Sequence, residues 1–527
     1  MTATVVDAGD GLPLTVPALL AARAAERGDH PWLVCDDSVL TYAEAETCSA
    51  ALARGLLAGG VGRGTHVGLL HPNGPGFVVG WLAAARIGAV AVPLSTFSTA
   101  AELGTLLRSA DIEVLLATPA FRGRDYVAAV REAVPAYDPA SRPLLDPATP
   151  ALRRVVFDHD VGAGVDPVVL AAAEAQVSPA DRMVIVHTSG STSDPKGVIH
   201  QHGPLIRHLD NLNQLRRYAE DEVLFSNSPF FWIGGFAYSL LGTLLAGATL
   251  VCSTATDPAA TLDLLERTRP TMVNGFAASV AHLAADPSFP GRDLSSIRRG
   301  NLWPIMPAAV RPADPELRHN MLGMTEAGSV CLAGEDEGDQ PERRRGSFGR
   351  PVPGFEARIV DPDTGADCGP GVVGELWFRG PFLMEGYYGR ERHETFTPDG
   401  WYPTGDLFHA DDEGFLYFTG RRGDMIKTAG ANVSPREVEA AIAEETGLVA
   451  HVVGLDDPER GQVVAAALRV PPGREAPDPE VLRAGLRARL SAYKVPRRFL
   501  ALADDDVPLL SSGKLDARAL RERFGAG

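Results

Sequence analysis

Cysteine is sparse in this sequence, and its spacing narrows the possibilities. Five residues, Cys35, Cys48, Cys252, Cys331 and Cys368, are scattered and odd in number, and none falls in a CxxC pair. That argues against a disulfide framework or a zinc site and for reduced thiols in a cytoplasmic protein. Positive charge is also in deficit: 49 Lys and Arg against 67 Asp and Glu leave a formal net charge of −18. A nucleic-acid partner, which is held by a Lys/Arg surplus, is therefore not expected. The deficit leaves room for ATP, which needs only a few local donors. The opening residues, MTATVVDAGDGLPLTV, lack a basic stretch followed by an apolar one, so no export signal is expected. Internal repeats and low-complexity tracts are absent as well.

Uncharged runs are rare, with one exception. Residues 230–251, FFWIGGFAYSLLGTLLAGATLV, carry no charge and are long enough to span a bilayer. Four glycines interrupt the run, no Lys/Arg anchors flank it, and the AGA at 246–248 reads as a turn before a short β segment. The expectation is a buried helix followed by a strand, with no membrane span.

At 527 residues, 45% hydrophobic and 22% charged, the chain reads as a soluble globular protein of two or more domains. Helices are expected at 17–27, at 42–57 with Thr41 as N-cap, and at 76–87. Short apolar strands are expected at 32–34, 67–70, 90–93 and 112–117. Strands and helices alternating at this spacing predict doubly wound, mostly parallel sheets. Residues 142–179, rich in Pro, Ala and Asp, read as irregular surface chain. From about 340, short strands broken by Gly and Pro predict a small β-rich subdomain reaching 422. Beyond a boundary at 422–424 the α/β pattern returns, with helices at 435–445 and 478–490 and strands at 450–454 and 463–470. The fold class is thus α/β: a large N-terminal domain of doubly wound sheets (1–422) and a small α/β C-terminal domain (423–527).

The strongest local signal is MVIVHTSGSTSDPKGV at 183–198. A short strand feeds a loop of small hydroxyl and Gly residues, where backbone N–H groups can approach and cradle an anion. Gly190 and Lys196 have the Walker separation, but Pro195 and Gly197 replace its Gly and Ser/Thr, so the metal-binding hydroxyl after the lysine is missing. Taken alone, the segment is as compatible with a solvated Ser/Thr loop as with a phosphate cradle.

Five further motifs follow it in order: LGMTE at 322–326, GWYPTGD at 400–406, GR at 420–421, IKTAG at 426–430 and SSGK at 511–514. The ordered set resembles the adenylate-forming ligase superfamily, which includes acyl- and aryl-CoA synthetases, peptide-synthetase adenylation domains and luciferase. The likeness extends from LTYAEAE at 40–46 to about residue 520. It implies that Thr188, Ser189, Gly190, Ser191, Thr192 and Lys196 hold the β- and γ-phosphates of ATP. Thr325 would contact the α-phosphate, and Glu326 would ligate Mg²⁺, a hard cation suited to carboxylate and phosphate oxygens. Asn320 would read the adenine edge and Leu322 would pack on its face. Asp406 would accept from the ribose hydroxyls, and Arg421 would add a fork of donors beside ribose and phosphate. Lys514 would bridge the α-phosphate and the substrate carboxylate, offsetting charge as the displacement proceeds. Trp232, Gly235, Phe236, Gly323 and Met324 would border the acid pocket. Gly430 would border an acceptor tunnel, and Gly423 would be the hinge on which a mobile C-terminal domain turns.

Several positions depart from the family pattern. Ser193 stands where Gly is usual in the phosphate loop, Leu322 where Tyr packs on adenine, and Gly423 where Asp or Lys is common. A small-residue Gly-Ala-Pro-like turn is not visible in RRGNLWPIMP at 298–307. Trp232 occupies a position that carries Asp when an α-amino group must be paired. An unpaired ammonium beside an indole would be costly, so an apolar acid, aryl or medium-chain, is expected. The resemblance implies acyl-adenylate formation with ATP and Mg²⁺, release of pyrophosphate, and acyl transfer to CoA. Transfer to an amine or a carrier-protein thiol is the alternative, and a P-loop-like ATPase or silent nucleotide-binding protein the reading from another class. A monomer or a homodimer is compatible with all of these.

Overall fold

The computed structural model describes residues 11–140, 143–188, 195–334, 337–422, 425–428, 431–457, 461–487, 489–490, 494–510 and 515–525. Its first sheet has seven strands, in the order Gly386–Tyr387, Lys196–Gln201, Arg182–Thr188, Val90–Pro93, His66–Leu70, Val114–Ala117, Arg154–Phe157. The last five pair in parallel, and Lys196–Gln201 folds back antiparallel on Arg182–Thr188. The second sheet runs Arg299–Gly300, Met272–Asn274, Val223–Ser226, Thr249–Cys252, Pro31–Cys35, Ser38–Thr41, parallel except for the last strand.

Local chemistry explains the helices around them. Tyr42–Ala58 begins at a capping box in which Thr41 Oγ1 accepts from the Glu44 N–H at 3.2 Å and Glu44 Oε2 accepts from the Thr41 N–H at 2.9 Å. Pro75–Arg86 is apolar on every side and is buried from Phe77 to its end, as a helix without a polar face must be.

The 142–179 stretch is more ordered than its composition suggests. It holds the edge strand Arg154–Phe157 and the helix Pro167–Glu174, capped by Asp166, whose Oδ1 accepts from the Val168 N–H at 2.9 Å. The reason lies elsewhere in the chain. Arg86, only 4% exposed, gives Nη1 and Nη2 to Glu46 at 2.6 and 2.7 Å and Nε to Glu174 at 2.5 Å. A buried guanidinium needs both carboxylates, and one of them belongs to the unexpected helix.

The apolar 230–251 run folds as expected into helix and strand. A π-helical segment Gly234–Leu241 passes into the α-helix Gly242–Ala246, which Gly247 ends at φ +73°, before the strand Thr249–Cys252. Its hydroxyls are satisfied internally: Ser239 Oγ donates to Ser226 Oγ at 2.8 Å and Thr243 Oγ1 to the Ser239 carbonyl at 2.9 Å. Among the described residues no helix is long and apolar enough to cross a membrane.

An antiparallel sheet of Glu356–Val360, Gly374–Arg379, Tyr402–Ala410 and Leu416–Arg421 forms the β-rich part, beside a three-stranded sheet of Leu322–Met324, Ser329–Ala333 and Arg350–Pro351. Residues from 426 onward build their own core. Val452, Val464, Ala466 and Leu468 face Val438, Ile442 and Leu486, whereas Val453, Ala465 and Ala467 face Leu520 and Phe524, the period-two alternation of a sheet covered on both sides. This part touches the preceding sheet through Ser434 Oγ, which donates to the Thr419 carbonyl at 2.7 Å, and through Arg436 over the Phe418 ring at 4.6 Å.

Four histidines of the N-terminal part, His71, His200, His202 and His208, are each at most 5% exposed. His208 packs between Phe355 and Phe382, with ring centroids 5.1 and 5.6 Å away. Burial holds the His71 and His208 imidazoles down at about 3 and those of His200 and His202 at about 4, against 6.5 when exposed. Because the folded values lie below the unfolded one, the unfolded chain takes up protons first. Stability is therefore full above pH 6.5 and falls as pH drops from 6.5 towards 4, by about 1.4 kcal/mol per pH unit for each histidine. Urea unfolding between pH 7 and 5 should show a steep loss, and His208→Leu should lower that slope by about one proton. An unchanged slope would mean that His208 is charged in the fold.

Candidate functional site

The phosphate-loop strand and its return strand place Thr188 and Lys196 opposite each other as register partners. Ser189, Gly190, Ser191, Thr192 and Ser193, together with Gly423, Gly430 and Lys514, lie outside the described residues. Gly197, next to Lys196, is required sterically, since a Cβ there would stand 2.8 Å from Ile185 Cγ2 and 3.3 Å from Tyr388 Cβ.

Thr325 and Glu326 form a single 3-10 turn after the strand Leu322–Met324, closed by Gly328 at φ +72°. The turn is held from two sides. His200 Nε2, on the phosphate-loop return strand, lies 2.7 Å from the Thr325 carbonyl, and burial keeps this imidazole neutral at pH 7. The Met384 N–H donates to the Glu326 carbonyl at 2.8 Å. Three residues on, the Tyr387 hydroxyl donates to Glu326 Oε1 at 2.8 Å and lies 3.0 Å from the Tyr402 hydroxyl. Lys196 Nζ sits over the same Tyr387 ring, 5.1 Å from its centroid. Burial, reinforced by the Glu326 charge, pushes both phenols well above their usual range, so both remain protonated donors at neutral pH.

Asp406 and Arg421 face each other across the Tyr402–Ala410 and Leu416–Arg421 strands. Asp406 is 4% exposed, and Arg421 Nε donates to its Oδ1 at 2.7 Å. Gly405, at φ +76°, shapes the bend before Asp406, and its N–H donates to Glu375 Oε1 at 2.9 Å. Burial pushes the Cys331 thiol up, and the Asp406 and Glu326 charges add smaller contributions in the same direction.

Asn320 lies at the rim of a cleft of about 490 Å³, lined also by Gly300, Asn301, Trp303, Met306 and Met321. Gly300 adopts φ +136°, and a Cβ there would sit 1.9 Å from the Val273 carbonyl oxygen. Asn301 is occupied structurally: its Oδ1 accepts from the Gly275 N–H at 3.1 Å and its Nδ2 donates to the Gly275 carbonyl at 3.0 Å. Leu322 and Met324 are half-buried and Gly323 is exposed between them.

Trp232 belongs to a row of aromatic rings, Phe97–Phe231–Trp232–Phe276, each edge-to-face with the next at 5.5–5.6 Å. Phe276 is 56% exposed, unusual for so large an apolar ring. Phe236, by contrast, is fully buried and packs edge-on against Trp81 in the core. Asn73 fastens the row, donating from Nδ2 to the Ser228 carbonyl at 2.9 Å and accepting at Oδ1 from the Phe230 N–H at 2.7 Å.

Tyr387, Tyr402, His200, Asn73, Asn301 and Phe276 were not singled out by sequence reasoning. Tyr402 lies inside the GWYPTGD motif and His200 shortly after PKG, so adjacency was the one available signal; Tyr387, sixty-one residues from Glu326, offered none.

The fold and these clustered motifs define a nucleotide-dependent ligase architecture. The model of the AMP-binding enzyme family matches residues 20–388, and that of the AMP-binding enzyme C-terminal domain matches 437–514. The chain belongs to the AMP-binding enzyme family. It is 34% identical to a feruloyl-CoA synthase of Amycolatopsis sp, over 93% of this chain and 94% of the relative. It is 30% identical to an indoleacetate–CoA ligase of Aromatoleum aromaticum, over 92% and 93%. The crystal structure of an anthranilate CoA ligase in complex with anthranoyl-AMP shares the fold, with a TM-score of 0.79 at 22% identity over 98% of this chain and 99% of that one.

Gly235 supports the aromatic row from behind. A Cβ at this position would stand 2.1 Å from the Pro229 carbonyl oxygen and 2.7 Å from that of Ser228, both rigid backbone. Gly235→Ala should therefore displace the segment that Asn73 fastens and destabilise the protein by about 1–3 kcal/mol, read by urea unfolding. A stability equal to wild type would show that the segment yields freely.

Proposed function

We propose that the protein is an AMP-forming acid–thiol ligase that activates an apolar carboxylic acid with ATP and passes the acyl group to CoA. The observation that carries this reading is the meeting of Lys196 and Glu326 at Tyr387, beside Tyr402 on the strand that also carries Asp406 and its partner Arg421, residues drawn from four motifs spread over 226 residues of chain. In the first half-reaction a substrate carboxylate oxygen bonds to the α-phosphorus as the bond to the bridging oxygen of pyrophosphate breaks. In the second, the CoA sulfur bonds to the acyl carbon, AMP departs with the bonding electron pair, and the thiol proton passes to solvent.

Each residue has a task within these steps. Lys196 offsets charge on the β- and γ-phosphates, with the loop ahead of it. Asp406 accepts from the ribose hydroxyls, and Arg421, already beside it, adds donors to the sugar and phosphate. Glu326 suits a Mg²⁺ ion, because one carboxylate is what this ion takes when substrate phosphates and water complete its shell. Bound there, Mg²⁺ would supply charge neutralisation at the phosphates. Lys514 bridges the carboxylate and α-phosphate during adenylation. Rotation of the domain beyond residues 422–424, with Gly423 as pivot, then replaces Lys514 by the Gly430 turn and opens a path for the thiol.

The substrate class follows from the row of rings at Trp232, which offers apolar faces and edges to an aryl or medium-chain acid. The acids of the feruloyl and indoleacetate ligases fit the same description. Acid-dependent exchange of pyrophosphate into ATP, run over a panel of acids, tests both points. Aryl or medium-chain acids should support exchange and α-amino acids should not; exchange with amino acids alone would overturn the substrate assignment. Acyl transfer to CoA rather than to an amine should then complete the turnover.

Lys514→Ala should lower exchange by roughly two to three orders of magnitude, the cost of losing an electrostatic catalytic donor. The same variant given preformed acyl-adenylate should still acylate CoA in a single turnover. Exchange at wild-type rate in this variant would remove Lys514 from the adenylation step.

A further inference from the structure

Tyr387 holds an unusual position: one phenol touches the metal-ligand candidate, a second phenol and the phosphate-loop cation. The hydrogen-bond directions follow from chemistry. An ionised Glu326 can only accept, so the Tyr387 proton points to Oε1 at 2.8 Å, and the Tyr402 proton then points to the Tyr387 oxygen at 3.0 Å. Both tyrosines are 7% exposed, so water competes little for either hydroxyl. Lys196, 5.1 Å from the ring centroid, is held by the π face rather than by the carboxylate, and it makes no ion pair with Glu326.

We propose that Tyr387 is a positioning residue for Mg²⁺-linked ATP binding. Its hydroxyl, oriented by Tyr402, pins one oxygen of Glu326 and leaves the other for the ion. Its ring face holds Lys196 at a separate point, so the two opposite charges meet at the polyphosphate instead of neutralising each other. The inference rests on the reading of the site as an ATP and Mg²⁺ site.

Calorimetric titration of the full chain with ATP, once with Mg²⁺ and once with EDTA in its place, tests it. Tyr387→Phe keeps the ring and removes one hydrogen bond to a charged group, so the Mg²⁺-dependent gain in ATP affinity should shrink by about tenfold. Affinity in EDTA should stay within about twofold of wild type, because the ring face and Lys196 are retained. Tyr402→Phe should move the Mg²⁺-dependent gain in the same direction by less. Tyr387→Leu, which also deletes the ring, should weaken binding in EDTA as well. A wild-type Mg²⁺ gain in Tyr387→Phe would overturn the proposal. So would an equal loss with Mg²⁺ and EDTA, which is what a purely structural role produces. A wild-type protein that binds ATP in a Mg²⁺-linked manner but shows no acid-dependent exchange would sink the ligase reading while leaving this one standing.

Discussion

Five consecutive residues, 384–388, fasten the site together, and they do so through backbone groups. The Met384 N–H reaches the Glu326 carbonyl, the Glu385 N–H the Ile199 carbonyl, and the Tyr388 N–H the Gly197 carbonyl. Each such bond is worth only about 1 kcal/mol net, so the effect is one of register rather than of stability. Register is what a two-motif site requires. Because side chains alternate along a strand, a slip of one residue would turn Tyr387 away from Glu326 and put a neighbour over Lys196. The outer edge of the first sheet thus fixes how far the metal-ligand candidate stands from the phosphate-loop cation. Arg182, whose Nε donates to Glu385 Oε1 at 3.0 Å, reinforces the same register from the strand beyond Lys196–Gln201.

A second fastening works on the acid side. Asn73 holds the Ser228–Phe230 backbone and Asn301 holds Gly275, so the rings of Trp232 and Phe276 each follow a segment fastened by an asparagine. This gives the RRGNLWPIMP stretch a physical account. The small-residue turn is not visible in this stretch, and the Asn301 amide is consumed in a two-point clasp on Gly275, which adopts φ +150°. The cleft beside Asn320 and the aromatic row therefore share one structural element, the loop from Gly275 onward.

How much of this was legible in the sequence depended on whether a residue's partner lay nearby in the chain. Thr41 with Glu44, the strands at 67–70 and 90–93 and the turn at Gly247 are settled by neighbours within a few residues, and they were readable. The helix Pro167–Glu174 was not, because its ordering depends on Arg86, whose interest lies in being buried and charged at once. The same holds for Tyr387: a tyrosine after glycine in a loop-rich stretch is unremarkable until the sheet brings it to Glu326. The motif residues themselves were legible only as an ordered set, since Asp406 in a Thr-Gly-Asp turn or Arg421 after a glycine says little alone.

Composition adds a last constraint on the lysines. Only four of the 49 lysines and arginines are lysine, and three of those, Lys196, Lys427 and Lys514, fall inside the nucleotide motifs. The chain otherwise relies on arginine for charge pairing, from Arg86 with Glu46 to Arg292 with Glu266 and Arg421 with Asp406. Arginine's planar fork suits those static carboxylate pairs, whereas an ammonium is a compact point charge on a flexible stem. Lys494, the one lysine outside the motifs, pairs with Glu437 Oε1 at 2.6 Å, so surface pairing accounts for that lysine. A point cation that follows moving phosphate oxygens is the role we propose for the motif lysines Lys196 and Lys514. Lys196 over the Tyr387 ring is placed for that task in the fold, and the proposed adenylation step gives Lys514 the same chemistry.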